Sequence, residues 1–172
     1  MLEQLAAQIT IAVENSRLYE EIKRQAVRDE LTGLLNRRHF EQRLSEEIER
    51  HSRYGGSFCL IISDLDRFKD YNDTYGHRAG DKLLWEVAQI VKESVRGVDL
   101  VFRYGGDEFG ILLPQTTIED AHIVSERVRT QIETDMETRG IALTVSLGIA
   151  SWPTDGITPD DVVRAADATL YQ

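Results

Sequence analysis

The sequence predicts an α+β domain built on one sheet, and three observations carry that prediction. A near-continuous apolar run, Ser57-Phe58-Cys59-Leu60-Ile61-Ile62-Ser63, has strand length and reads as a central strand buried on both faces. Two short apolar segments, Val98 to Phe102 and Gly110 to Pro114, flank Gly105-Gly106 and read as a hairpin, since tight turns need the positive φ that glycine adopts at little cost. Ala142 to Ala150 alternates strictly, as a half-buried strand does. With helical segments between them, the order is strand, helix, hairpin, helix, strand. That βαββαβ order is ferredoxin-like.

The elements follow in order. From Met1 to Asp29 there is neither glycine nor proline, which predicts one long N-terminal helix. Leu2, Leu5, Ile9, Ala12, Ser16, Tyr19, Lys23 and Ala26 form a coiled-coil seam that Ser16 and Lys23 interrupt, so only weak pairing is expected. Residues 1–28 read either as a connector from a preceding signalling domain or as a helix packed on its own domain. Gly33 breaks this helix. The next runs from about Arg37 to Arg53, with Phe40, Leu44 and Ile48 on one face, and Gly55-Gly56 ends it. The central strand then delivers Asp64 and Asp66 to its C-terminal end. A polar segment from Arg67 to Asp81 leads into a helix from about Asp81 to Arg96 that buries Leu83, Leu84, Val87, Ile90 and Val91. After the hairpin, Thr117-Ile118-Glu119-Asp120 resembles a capping box and opens a helix to about Glu133. Thr158-Pro159-Asp160-Asp161 starts a last helix, still running at Gln172.

Composition narrows the function. The 172 residues suit one domain with an appendage, and 41% hydrophobic with 29% charged residues is the balance of a soluble globular protein. A net charge of −10 argues against non-specific binding to a nucleic-acid backbone or an anionic membrane. It leaves room for an anionic nucleotide if a divalent cation neutralises the contact. Cys59 is the only cysteine, which excludes an internal disulfide and a cysteine-based zinc site, and a buried, inert thiol in a reducing compartment is expected. No signal peptide is visible, and no run approaches the ~18 apolar residues of a membrane span. A cytoplasmic location is the expectation.

The chemistry concentrates in two acidic pairs. Asp107 and Glu108 follow the Gly105-Gly106 turn, where a bare backbone lets a bulky ligand approach, and Asp64-Leu65-Asp66 closes the central strand. In the βαββαβ order those strands lie side by side, so Asp64 and Asp107 are expected to converge. The plainer alternative is an ordinary hairpin with solvated acids. Convergent carboxylates without histidine or cysteine partners suit a hard cation such as Mg²⁺, and with substrate phosphates they suit phosphoryl transfer.

Three separated motifs then resemble one family. Asp29-x-Leu31-Thr32-Gly33-Leu34-x-Asn36-Arg37 comes first. Asp64-x-Asp66-x-Phe68-Lys69-x-x-Asn72-Asp73-x-x-Gly76-His77-x-x-Gly80-Asp81 and Gly105-Gly106-Asp107-Glu108-Phe109 follow in order. Together they resemble the GGDEF domains, diguanylate cyclases that join two GTP into cyclic di-GMP, over about residues 29–172. The resemblance implies a palm similar to those of nucleotide cyclases and polymerases, Mg²⁺ (or Mn²⁺) as cofactor, and a transient homodimer. It implies that Asp64, the Leu65 carbonyl and Asp107 bind metal, and that Glu108 binds metal or helps activate the ribose 3′-hydroxyl. Phe68 and Lys69 resemble the phosphate loop, and Asn72 and Asp81 the guanine contacts. Arg96-x-x-Asp99 and Arg127 resemble the inhibitory site that binds product. Residue by residue, plainer readings stand beside these: Asp81 as a first-turn helix acid, Asn72-Asp73 as a turn, Lys69 as a solvated charge, and Arg96 as a helix-end arginine. His77 reads as structural. The family pattern continues past the Ala165-to-Gln172 helix with a lysine, a Gly-Arg-Asn-like segment and a strand, so weak GTP binding and slow turnover are expected of residues 1–172 alone. A GTP- or cyclic di-GMP-binding module is the alternative, against which the intact Asp107 and Glu108 weigh.

Overall fold

The computed structural model describes residues 13–15 and 27–170. Val13–Asn15 and Val27 are helical, Arg28 forms an isolated bridge with Leu35 so that the helix expected to reach Asp29 has ended there, and its other residues lie outside the described residues. From Leu35 onward the chain forms five strands and five helices: β1 (Leu35–Asn36), α1 (Arg37–Tyr54), β2 (Phe58–Asp66), α2 (Phe68–Tyr75), α3 (His77–Glu93), β3 (Leu100–Arg103), β4 (Glu108–Pro114), α4 (Ile118–Thr138), β5 (Thr144–Trp152) and α5 (Pro159–Leu170). The strands form one sheet in the order β1-β3-β4-β2-β5. β2 pairs antiparallel with both β4 and β5, and β3 pairs antiparallel with β4. This is the expected βαββαβ order with one addition: β1 joins the far edge, parallel to β3.

β2 organises both faces. Residues 58–63 are all buried, and strand alternation sends successive side chains to opposite sides. Cys59, Ile61 and Leu65 meet a core of Leu83, Val87 and Val91 from α3 with Val124, Val128 and Ile132 from α4. Phe58, Leu60 and Ile62 meet Phe40 and Leu44 from α1 with Val162 and Ala166 from α5. Burying each such side chain contributes about 1.5–3 kcal/mol. Cys59 sits fully inside the first core, its thiol donating to the Thr116 carbonyl at 3.3 Å, and burial pushes it up to about 11. It is inert, as the sequence suggests. Among the described residues no helix is long and apolar enough to cross a membrane.

Local chemistry sets the element ends. Asn36 caps α1 by accepting from the His39 amide at 3.0 Å, and Thr117 caps α4 by accepting from Asp120 at 3.2 Å. Thr158 and Asp161 satisfy each other at the start of α5.

Three expectations need correction. The polar segment after β2 is helical (α2), because Phe68 and Tyr71 supply enough apolar anchorage on one side. The next helix starts at His77 rather than Asp81, since Gly76, at φ +85°, turns the chain out of α2 and directly into α3. The hairpin connection runs from Tyr104 to Asp107, and neither of its glycines takes a positive φ. Gly105 leaves room there for the Glu108 carboxylate folded over it, and its dihedral is ordinary.

Gly148 on β5 is another glycine fixed by space. A Cβ built on it would lie 2.0 Å from the Ala166 carbonyl oxygen and 2.7 Å from the Leu170 nitrogen. Backbone cannot yield as a flexible side chain does. Gly148→Ala is therefore expected to destabilise the domain by about 1–3 kcal/mol, read as a lower urea midpoint. An unchanged midpoint would show that α5 shifts at no cost.

Candidate active site

The β2–β4 register builds the site. Asp64 lies directly opposite Glu108, and both continue the face of the sheet that carries Leu60, Ile62 and Leu112 toward α1 and α5. The Leu65 amide donates to the Asp107 carbonyl at 3.4 Å, which holds the hairpin tip against the end of β2. The Tyr104 and Gly105 amides both donate to the Glu108 carbonyl, at 2.9 and 3.3 Å. The Glu108 carboxylate folds back over Gly105, where a Cβ would come within 2.1 Å of Oε2. Gly106 stands open, with nothing within 4 Å of its Cβ position.

These acids repel one another. Burial first, then the charges of Asp107, Glu108 and Asp66, push Asp64 up to about 6. Burial and then the charges of Asp167 and Asp107 raise Glu108, against the opposing pull of Arg37. Asp66 is held differently: its carboxylate accepts from Thr144 at 2.6 Å and Ser146 at 2.8 Å across β5. Among the described residues no three acidic, histidine or cysteine side chains stand close enough to cage a metal ion by themselves. The donor set still fits a hard cation. It is all oxygen, its members disfavour one another's ionisation, and Mg²⁺ ordinarily takes one or two carboxylates and completes its shell with phosphates and water.

Beside the acids lies a second group of candidates. α2 begins at Phe68, straight after Arg67 in the left-handed region (φ 62°), and carries no side-chain cap. Exposed Lys69 stands in its first turn, and an uncapped helix N-terminus beside a cation suits an anion. Asn72 lies across Gly80 so closely that a Cβ there would fall 1.8 Å from its Oδ1, and that oxygen is buried with no hydrogen-bond partner. Asp81, next to Gly80, is an exposed residue one turn inside α3, so the first-turn reading does not hold. His77 is the exposed first residue of α3.

The third group stands apart, at the other end of β3. The Arg96 amide donates to Asp99 Oδ2 at 2.8 Å, and the Asp99 amide donates back to the Arg96 carbonyl at 3.0 Å, closing a turn in which Asp99 is buried. Arg127 Nε donates to the Ser94 carbonyl at 2.7 Å, docking α4 beside that turn. The turn borders a cleft of about 570 Å³ lined by Arg28, His39, Arg43, Lys92 and Arg96 among others.

Three site features escape a reading of the sequence. Asp167 on α5 is half-buried, raised by that burial, and its charge acts on Glu108. The Arg37 guanidinium sits 4.9 Å above the Tyr104 ring, which also meets Phe40 edge-on at 5.1 Å. Arg103, the last residue of β3, bridges Asp29 and the Gly106 carbonyl. Asp29 and Arg37 do fall inside the first motif, but nothing in their spacing names these partners.

One sheet thus carries acids at its hairpin, with the uncapped N-terminus of α2 following the end of β2. The family model for "Diguanylate cyclase, GGDEF domain" matches residues 26–172, and the chain belongs to that family. It is 39% identical over 158 residues to the diguanylate cyclase DgcS of Shewanella oneidensis, covering 92% of this chain and 53% of DgcS. It is 32% identical over 182 residues to the response regulator PleD of Caulobacter vibrioides, covering 99% of this chain and 40% of PleD. The chain thus spans about half or less of these relatives. Among solved structures it resembles the coiled coil and GGDEF domain of DgcB from Caulobacter crescentus in complex with c-di-GMP, with TM-score 0.84 and 30% identity over 99% of this chain and 92% of that one. It also resembles the diguanylate cyclase SiaD of Pseudomonas aeruginosa in complex with its activator SiaC, with TM-score 0.78 and 38% identity over 99% and 66%.

The repulsion around Asp64 has a measurable sign. Its folded-state value lies above the ordinary carboxylate range, so the fold disfavours the ionised form. The penalty is absent below about pH 4, grows between about pH 4 and 6, and is constant above that. In metal-free protein, Asp64→Asn is expected to melt higher than wild type at pH 8 and at the same temperature near pH 4. Equal melting at pH 8 would show that the acids do not repel.

Proposed function

We propose that this domain condenses two GTP into cyclic di-GMP and two pyrophosphates. The observation that carries the reading is the gathering, at one end of the sheet, of Asp64, Asp107 and Glu108 with the uncapped N-terminus of α2 and with Asn72, which lies across Gly80 next to Asp81. The α2 amides and Lys69 hold the β- and γ-phosphates. Asp81 accepts from guanine N1–H and the exocyclic amine together, a pair of donors that adenine lacks, and Asn72 offers its buried amide beside it. Glu108, whose proton affinity is raised, takes the proton of the ribose 3′-hydroxyl. The freed oxygen attacks the α-phosphorus of the GTP held by a second copy, the bond to the bridging oxygen breaks, and pyrophosphate leaves in line. Two copies meeting face to face as a transient homodimer make the two-fold product, each contributing one bond. Asp64, Asp107 and the Leu65 carbonyl would hold Mg²⁺ or Mn²⁺, which would neutralise phosphate charge and acidify the 3′-hydroxyl. The relatives named as diguanylate cyclases support this reading.

The turn Arg96–Asp99, with Arg127 docked beside it, is assigned to product. A planar guanidinium takes a phosphate or a guanine edge bidentately, and the c-di-GMP in the DgcB complex supports a family ligand of that kind.

Incubation with GTP and Mg²⁺, with products resolved by mass spectrometry, tests the activity. Absence of cyclic di-GMP from folded protein would overturn it. Asp81→Ala is expected to weaken GTP binding about ten- to a hundredfold and to leave ATP binding nearly unchanged in calorimetry. Equal losses for both nucleotides would remove Asp81 from base recognition. Arg96→Ala is expected to lose cyclic di-GMP binding while keeping GTP binding, and undiminished product binding would refute the assignment.

A further inference from the structure

We propose that Arg103 is a positioning residue for this reaction: gripped by Asp29, it fixes the Gly106–Asp107 peptide and so aims Asp107 at Asp64. The inference rests on the cyclase reading above for its consequence, but its geometry stands alone. Arg103 Nη1 reaches both oxygens of Asp29, at 3.1 and 3.2 Å. On the other edge of the same guanidinium, Nε and Nη2 both donate to the Gly106 carbonyl, at 3.2 and 2.8 Å. A planar fork with donors on several edges can serve both partners at once, whereas a lysine ammonium cannot.

The tip needs such a hold. Gly106 has no side chain and nothing packs within 4 Å of its Cβ position, so packing does not set its peptide plane. The bond from Leu65 to the Asp107 carbonyl is long, at 3.4 Å, and the amides of Tyr104 and Gly105 secure Glu108 rather than Gly106. The Gly106 carbonyl belongs to the peptide that leads into Asp107. Rotating that peptide swings the Asp107 carboxylate, and misplacement by about 1 Å at a reacting centre costs about a hundredfold.

The anchor is well made. Asp29 accepts from the Thr32 amide at 2.8 Å and the Thr32 hydroxyl at 2.7 Å, and its own backbone bonds Leu34 and Gly33, each at 2.9 Å. Thr32 is buried, and the turn runs on into β1, which pairs with β3 at Arg103 itself. Burial opposes ionisation of Asp29, but the hydrogen bonds from Thr32 and Arg103 prevail and hold its carboxyl below the usual range. The turn from Asp29 to Leu34 and the catalytic hairpin are therefore joined through one guanidinium. A displacement of Asp29 is transmitted to Asp107 without disturbing the nucleotide helices.

The test compares Arg103→Ala, Arg103→Lys and Asp29→Asn with wild type. Mn²⁺ affinity is measured by electron paramagnetic resonance in the presence of a non-reacting GTP analogue, alongside kcat, KM for GTP, melting temperature and cyclic di-GMP binding. Arg103→Ala is expected to weaken Mn²⁺ binding about tenfold and to lower kcat by at least as much, with KM for GTP nearly unchanged. Arg103→Lys should fail to rescue either, millimolar guanidinium should partly restore Arg103→Ala, and Asp29→Asn should fall between. Unchanged Mn²⁺ affinity and kcat in folded Arg103→Lys and Asp29→Asn, whatever happens to melting, would overturn the proposal. A wild type inert toward GTP whose Mn²⁺ affinity still depends on Arg103 would sink the cyclase reading and leave the positioning role standing.

Discussion

The antiparallel register of β2 against β4 is the constraint on which the rest of the molecule depends. Pairing Cys59 with Leu113 and Ile61 with Ile111 brings Asp64 opposite Glu108. Because side chains alternate, a slip of one residue would send Asp64 into the α3–α4 core and Cys59 to the other face. The register is held far from the acids, by the fully buried run that β2 contributes to both cores. The hydrophobic effect thus places charges it cannot itself stabilise.

The electrostatics follow from that placement. Asp64 and Glu108 emerge on the face covered by α1 and α5, where Asp167 adds a further negative charge and Arg37 the nearby positive one. Arg37 is steadied over the Tyr104 ring, and Tyr104 is braced by Phe40 from the second core. The compensating cation thus lies between the Tyr104 ring and the Glu41 carboxylate, to which its Nε donates at 3.3 Å. The acids remain under-compensated within the protein alone, which is the state a divalent cation with a bound triphosphate would relieve.

The sheet order was legible in the sequence because β2 and β4 are apolar runs and β5 alternates, and β2 in particular is long and uninterrupted. β1 escaped because two residues carry no period; it exists through its parallel pairing with Phe102 and Arg103. α2 escaped because Asp70, Asn72, Asp73 and Thr74 mask a helix that hides little more than Phe68. Asp64, Asp107 and Glu108 could be singled out by their positions at strand ends. Asp167 could not, since a helix among alanines gives no hint of which strand its acid will overlook. The bond between Asp29 and Arg103 is likewise a fact of tertiary structure, as is the side chain that lies across Gly105 and across Gly80.

Gly76 ends α2 and begins α3 with a single positive φ, so the candidate phosphate groups and the candidate base groups ride on separate rods joined at one residue. Lys69 and the open amides belong to the first rod; Gly80 and Asp81 belong to the second, with Asn72 reaching across the joint. A lineage that altered the second rod would change what surrounds Asp81 while leaving Lys69 and the first turn of α2 in place. Under the proposed reading the two groups could then drift apart only in part, because Asn72 ties the first rod to the second at Gly80.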